Sequence, residues 1–296
     1  MSTKPKKPIP PINDVVGRAS AEVPILGANR AEILALHPVA KAHAPGLAPE
    51  LAALEHACFF LGHPRSGHSL LGAMLDAHPE TCIAHELDAL RFVQEGWQTP
   101  ELWWAIIENA RRSAAIGRRW GQYSYGLPGQ GTWTRIRVIG DKKGGMTARA
   151  IYHNAGAIEQ LTKTVALPIR WLHVVRDPWD NIATIQRKAG IDMWGAIRVY
   201  FGLATGVDIA LAMLPADEVL TLFSEDLLNS PADVLQTTAA HLGLQSPPHW
   251  LQACTALVRH SRVRARDRVS WTPAHIRVVA ALSAKHRWLE RYADHP

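Results

Sequence analysis

An eight-residue glycine loop, set between an apolar run and an amphipathic helix, constrains this chain more than any other feature. Residues 62–69 read GHPRSGHS and fit the phosphate-loop template G-x-x-x-x-G-K-[ST] at every position but one, where His68 replaces the lysine. The preceding run Cys58-Phe59-Phe60-Leu61 suits a buried strand, and Leu70, Leu71, Met74 and Leu75 mark one face of the helix that follows. Gly62 and Gly67 let the backbone turn around an anion. The N–H groups of Ser66 to Leu70 would then face a phosphate from the positive end of the helix dipole. The missing lysine is the group that reaches the β- and γ-phosphates of a nucleoside triphosphate, so the loop keeps an anion cradle without a grip on ATP or GTP. The competing reading is a plain Gly/Pro turn before a helix; the order strand, loop, helix favours the anion site.

From Cys58 onward, strand-like runs alternate with helical patterns, which implies βαβ units around a central parallel sheet. Strands are expected at 57–62, 81–84, 135–140, 169–175 and 218–223. Helices are expected at 67–77, 86–95, 100–116, 147–163, 179–189, 192–213, 231–242 and 273–291, with a short one over Arg30 to Leu36. Residues 1–55, rich in Pro and Ala, read as an N-terminal extension that begins in a disordered basic tail, and 56–296 as one α/β domain. With 296 residues and 47% apolar content the chain supports a real core. No run of about 18 apolar residues is evident, so no membrane span is expected, and the start MSTKPKKPIPPIND lacks the apolar stretch of a secretory signal. Cys58, Cys82 and Cys254 are too few and scattered for a disulfide framework or a zinc site, which fits a cytoplasmic protein without a metal. The net charge of +6 suits nucleic acid and a small polyanion equally.

A second anion site is suggested by IRWLHVVRDPWDNIATIQRK, residues 169–188. A strand over 171–175 places Arg176 at its C-terminal edge, where ligands gather in open α/β sheets. Asp177 can cap the next helix and Pro178 suits its first turn. Asp180, Thr184 and Lys188 then share one helix face. An Arg fork beside a hydroxyl suits a phosphate monoester, while an ion pair of Arg176 with Asp177 or Asp180 is the alternative.

The stretch FFLGHPRSGHSLLGAMLDAHPETCIAHE resembles the 5′-phosphosulfate loop and following segment of sulfotransferases that use 3′-phosphoadenosine 5′-phosphosulfate (PAPS). It is especially similar to the Pro-Arg-Ser-Gly branch that includes the tyrosylprotein sulfotransferases. The resemblance implies a P-loop-containing three-layer α/β/α fold, with Arg65, Ser66, Gly67, His68, Ser69 and Leu70 around the 5′-phosphosulfate and His68 in place of the usual Thr. It puts Arg176 and Thr184 in the family's 3′-phosphate motif. Residues 219–244 are similar to the late "E-D-L…P" segment, with Glu225 and Asp226 as structural caps. Arg259, Arg262, Arg264, Arg266 and Arg268 fall where many members close a basic loop over the 3′-phosphate, without that loop's Arg-Lys-Gly form.

By analogy with phosphoryl transfer, sulfuryl transfer needs an in-line nucleophile, cations for the departing phosphate and a base for the acceptor proton. Arg65 is placed for the cationic role. The resemblance gives Lys142 a place near the sulfate and Glu86 that of the catalytic base; a partly desolvated carboxylate there is expected to have a raised pKa. His85 is the rival base, and Glu86 has a competing role as a cap for the helix 86–95. Trp97, Trp103, Trp104, Trp120, Trp133, Tyr123 and Tyr125 either stack an acceptor or pack a cap, and Arg111, Arg112, Arg118 and Arg119 are candidates for an acidic acceptor. The expected acceptor is a hydroxyl or amine of a small molecule, glycan or peptide. A nucleotide-dependent kinase with Asp141 on Mg²⁺ is the alternative, and neither a nucleic-acid platform nor a helix-turn-helix is evident.

Overall fold

Five short strands form one parallel sheet; four are buried along nearly their whole length, as expected where crossover helices cover both faces, and the edge strand over 219–223 is buried only at Leu222. The computed structural model describes residues 23–24, 27–119, 123–258 and 264–293; the basic tail, Trp120, Arg259 and Arg262 lie outside them. The strands are β1 (His56–Gly62), β2 (Thr81–His85), β3 (Val138–Lys142), β4 (Ile169–Val175) and β5 (Val219–Phe223). The helices among the described residues are α1 (Arg30–His43), α2 (His68–Asp76), α3 (Ala89–Gln94), α4 (Thr99–Ala115), α5 (Gly144–His153), α6 (Gly156–Val165), α7 (Pro178–Ala189), α8 (Met193–Met213), α9 (Ser224–Asn229), α10 (Pro231–His241), α11 (Pro248–Leu257) and α12 (Pro273–Ser283).

The strand order is β2-β3-β1-β4-β5, every pairing parallel, with Cys58 opposite Gly140 on one side and Arg170 on the other. Because β1 connects outward to β2 and the chain later crosses to β4, the carboxyl end of β1 lies at the topological switch point where ligands collect. Alternate β1 side chains feed two cores. Ala57, Phe59 and Leu61 join α1, α3, α4, α5 and α6, while Cys58 and Phe60 join Leu71 and Met74 of α2 and Leu235 of α10. A third cluster packs α7, α8 and α12 around Trp179, Tyr200 and Val279. The result is the expected three-layer α/β/α arrangement.

Five elements depart from their expected bounds; the strand expected at 135–140 runs instead over Val138–Lys142, which brings Lys142 into the strand. The short N-terminal helix runs on to His43 and buries Ile33, Leu36 and Ala40 in the main core. The helix expected at 86–95 begins only at Ala89, because Glu86 and Asp88 adopt the left-handed region at φ +60° and +71°. The span 147–163 is two helices, broken where Asn154 becomes extended and its Oδ1 accepts from the Gly156 N–H at 3.1 Å. The final span is α12 followed by a separate 3₁₀ turn over Arg287–Tyr292. One helix, α8, is long and apolar enough by length and composition to cross a membrane, contrary to the expectation that no such run exists. It carries Arg198 and Asp208 and buries nine residues against the protein.

Three glycines are required by close approach of a backbone carbonyl; at Gly140 of β3 a Cβ would stand 1.8 Å from the Cys58 carbonyl of β1. Gly62 has φ +132°, and a Cβ there would stand 2.6 Å from the Val174 carbonyl of β4; at Gly206 of α8 it would stand 2.1 Å from the Ala148 carbonyl of α5. Gly62→Ala is therefore expected to destabilise the fold by about 3 kcal/mol or more, read as a lowered midpoint of thermal or urea unfolding.

Candidate active site

The loop and the carboxyl edges of β1, β3, β4 and β5 enclose one cleft of about 1810 Å³, against roughly 300–1,000 Å³ for a site that takes one small ligand. Nine Lys or Arg and four Asp or Glu side chains line it, a balance that suits polyanions. Two of the five non-glycine residues with positive φ among those described, Arg65 and Glu86, line the cleft, as strained backbone tends to at functional sites.

At the loop, Gly67 caps α2 at φ +89°, and its carbonyl accepts from the Leu70 N–H at 3.0 Å. This engages one donor expected to face the anion and leaves the N–H groups of His68 and Ser69 in the helix's unpaired first turn. Arg65 is exposed on the cleft wall. Ser66 is fully buried, its hydroxyl accepting from Asn181 Nδ2 at 2.8 Å, so its side chain ties the loop to α7. Likewise, the His68 imidazole turns inward, packing edge-on against Phe60 and donating from Nε2 to the Leu61 carbonyl at 3.2 Å. Burial and the nearby Lys142 push its pKa down to about 4, which keeps it neutral. His68 therefore offers an anion its backbone N–H.

Ser69 opens a polar chain along the cleft floor. Lys142 Nζ, fully buried at the end of β3, donates to Ser69 Oγ at 3.0 Å and to Glu86 Oε1. Lys143 Nζ reaches Glu86 Oε2 at 2.6 Å. Burial alone would raise the Glu86 carboxyl, but the two ammonium groups outweigh it and hold the pKa at about 2, the reverse of the raised value expected. Nor does Glu86 cap a helix: it precedes α3 in a turn fixed by Asp141, whose Oδ1 and Oδ2 accept from the N–H groups of Leu87 and Ala89. Asp141 is buried, with burial pushing its pKa to about 6 against the Ala89 hydrogen bond, and its carboxylate holds this turn. His85 is wholly buried and does not line the cleft. Burial and Lys142 push its pKa to about 3, a neutral ring.

The second anion site adjoins the first. Arg176 Nη1 donates to the Arg65 carbonyl at 3.1 Å and to Thr184 Oγ1 at 3.3 Å. The alternative pairing with Asp177 or Asp180 does not form, because Arg266 takes both acids, with Nη2 donating to Asp177 Oδ2 and to Asp180 Oδ2 at 3.1 Å. This network was not legible in the basic C-terminal run. Arg266→Ala leaves two partly buried carboxylates unpaired and is expected to cost about 3–5 kcal/mol of stability, measurable by chemical unfolding. Arg264 and Lys188 also line the cleft. Glu225 and Asp226 act as tertiary pins rather than caps: Glu225 accepts from the Asp177 N–H at 3.1 Å and the Tyr292 hydroxyl at 2.6 Å, and Asp226 pairs with Arg291.

Most of the aromatic and basic segment after Glu86 is structural. Trp97, Trp103 and Trp104 are core, and Trp133 lies under Arg111 at 5.2 Å. Arg111 pairs with Glu50, Arg118 is buried against Asp76 at 2.7 Å, and Arg112 donates to the Val23 carbonyl. Among the described residues of that group, only Tyr123 and Tyr125 line the cleft, their rings parallel at 6.2 Å.

No family model matches the chain, and no protein of curated function matches it. Among solved structures it is similar to the sulfotransferase domain of the Synechococcus PCC 7002 olefin synthase at 19% identity, over 82% of this chain and 96% of that one, with a TM-score of 0.47. It is similar to sulfotransferase STF9 from Mycobacterium avium at 13% identity, over 86% and 81%, with a TM-score of 0.49. A third is mouse sulfotransferase SULT7A1 complexed with PAP, at 14% identity over 83% and 93%, with a TM-score of 0.44. With identities this low and TM-scores below 0.5, these likenesses carry no functional argument.

Proposed function

We propose that this protein transfers a sulfuryl group from PAPS to a hydroxyl of its acceptor. The observation that carries the reading is the contact between the two anion sites: the Arg176 guanidinium touches the Arg65 turn, so a single nucleotide with anionic groups at both ends of its ribose satisfies both. Backbone N–H groups at His68 and Ser69, with the Arg65 side chain, would hold the 5′-phosphosulfate, while Arg176 and Thr184, flanked by Lys188 and Arg264, would hold the 3′-phosphate. The Pro-Arg-Ser-Gly loop and the separation of Arg65 from Glu86 add the family resemblance to this chemistry.

In this reading Glu86 accepts the acceptor's proton as the new S–O bond forms and the bond from sulfur to the phosphate oxygen breaks. Lys142 stabilises the charge left on that oxygen. The resting ion pair fits this order: Lys142 engages the phosphosulfate, loosens its hold on Glu86 and lets the carboxyl rise toward a more basic pKa. Calorimetric titration tests the donor assignment. Adenosine 3′,5′-bisphosphate should bind without Mg²⁺ about 10²-fold more tightly than 5′-AMP, since the extra phosphate gains charge-assisted bonds worth roughly 1.5–3 kcal/mol each. Equal affinities, or tighter binding of Mg-ATP, would refute it.

A further inference from the structure

Part of the cleft is not used by the donor. Tyr123, Met146, Tyr152 and Val199 are four of the eight large apolar side chains exposed among the described residues, and all four line this one cleft. Met146 and Tyr152 flank Arg149 on one face of α5, at steps of three residues. Packed against α5 where Gly206 meets Ala148, α8 presents Arg198 and Val199 to the same cleft. Converging apolar side chains of this kind mark a place for a hydrophobic ligand body.

The two arginines give that ligand a charge. Arg149 and Arg198 are both exposed to the cleft and have no ion-pair partner among the described residues. The acids of the cleft wall are already committed: Glu86 to Lys142 and Lys143, Asp177 and Asp180 to Arg266, and Glu225 to Tyr292 and the Asp177 N–H. The donor's anionic ends are met by Arg65, Arg176, Lys188 and Arg264. Two guanidinium groups set among aromatic and aliphatic side chains thus remain, a combination that fits an apolar body bearing an anion.

We infer that the acceptor is a small hydroxylated compound with an apolar body and a carboxylate or similar anionic group, and that Arg149 and Arg198 read that group. This rests on the sulfuryl-transfer reading and deepens it. The test is a titration of the protein, saturated with adenosine 3′,5′-bisphosphate, with hydroxyaryl-alkanoic and long-chain hydroxyalkanoic acids and with their methyl esters. The acids should bind at least about tenfold more tightly than their esters. In the Arg149→Gln/Arg198→Gln double variant the preference should fall below about threefold, while the affinity for the bisphosphate stays unchanged. Esters that bind as well as acids, a preference that survives the double substitution, or no binding by any member of the series would each overturn the inference. Failure of the bisphosphate itself to bind would instead overturn the donor assignment.

Discussion

Arg176→Ala should bring the affinity for adenosine 3′,5′-bisphosphate down to that for 5′-AMP, a loss of about 10²-fold, while leaving AMP itself nearly unaffected. The magnitude follows from losing a charged donor to a phosphate monoester, where each bond is worth roughly 1.5–3 kcal/mol. Asp177 and Asp180 keep Arg266 as their partner, so the substitution strands no acid. What it removes from the free protein is one hydrogen bond to the Arg65 carbonyl and one to Thr184, and an unfolding curve measured alongside would show that modest cost. Arg176→Lys, which keeps a charge but not the fork, should recover only part of the difference. If the variant still separates the two nucleotides by the full factor, the 3′-phosphate does not sit at Arg176.

Glu86→Gln should lower kcat by about 10² to 10⁴ without weakening the bisphosphate, the range typical of removing a positioned general base. Donor affinity should hold or improve, because Lys142 and Lys143 lose a carboxylate that competes with an anionic ligand for them. The pH dependence follows from the direction of the shift. The Glu86 carboxyl is held at about 2, well below the ordinary carboxylate range, so it is ionised at every pH from about 5 upward, and kcat/KM should show no acid limb from it there. For stability, a depressed carboxyl pKa contributes above the unfolded value and is lost as pH falls through the folded one. The ion pairs should therefore stop protecting the fold between about pH 4 and pH 2. Rates and thermal midpoints across that window, compared between the variant and the parent, check both halves; an unchanged kcat would move the base elsewhere.

The sheet was legible because each strand is a short apolar run bounded by turn residues, and a parallel strand buried on both faces leaves that record in sequence. The loop was legible for a similar reason, since a glycine turn between strand and helix is a local pattern. What sequence could not supply were partnerships between distant positions. Lys142 and Lys143 meet Glu86 from 56 and 57 residues away, and Arg266 reaches Asp177 across 89. The raised pKa expected for Glu86 considered burial alone, and the fold added two ammonium groups that reversed its sign. Similarly, nothing in the identities of Glu86 and Asp88 announces a left-handed backbone, which few non-glycine residues adopt, so sequence alone starts the helix three residues too early. Trp97 and Tyr123 looked alike as candidates for an acceptor platform; only the packing separates a core residue from a cleft residue.

The pairing of α5 with α8 has a consequence for how such a protein diversifies. Its inward positions, Ala148, Ala196, Ala204 and Gly206 among them, carry the interior packing, whereas Met146, Arg149, Tyr152, Arg198 and Val199 point outward from regular helix. Replacing an outward residue on a helix commonly shifts stability by no more than about 0.5 kcal/mol, while the strained turns at Arg65 and Glu86 tolerate little change. Under the proposed function, descendants of this chain would be free to drift toward new acceptors one side chain at a time while inheriting the same donor.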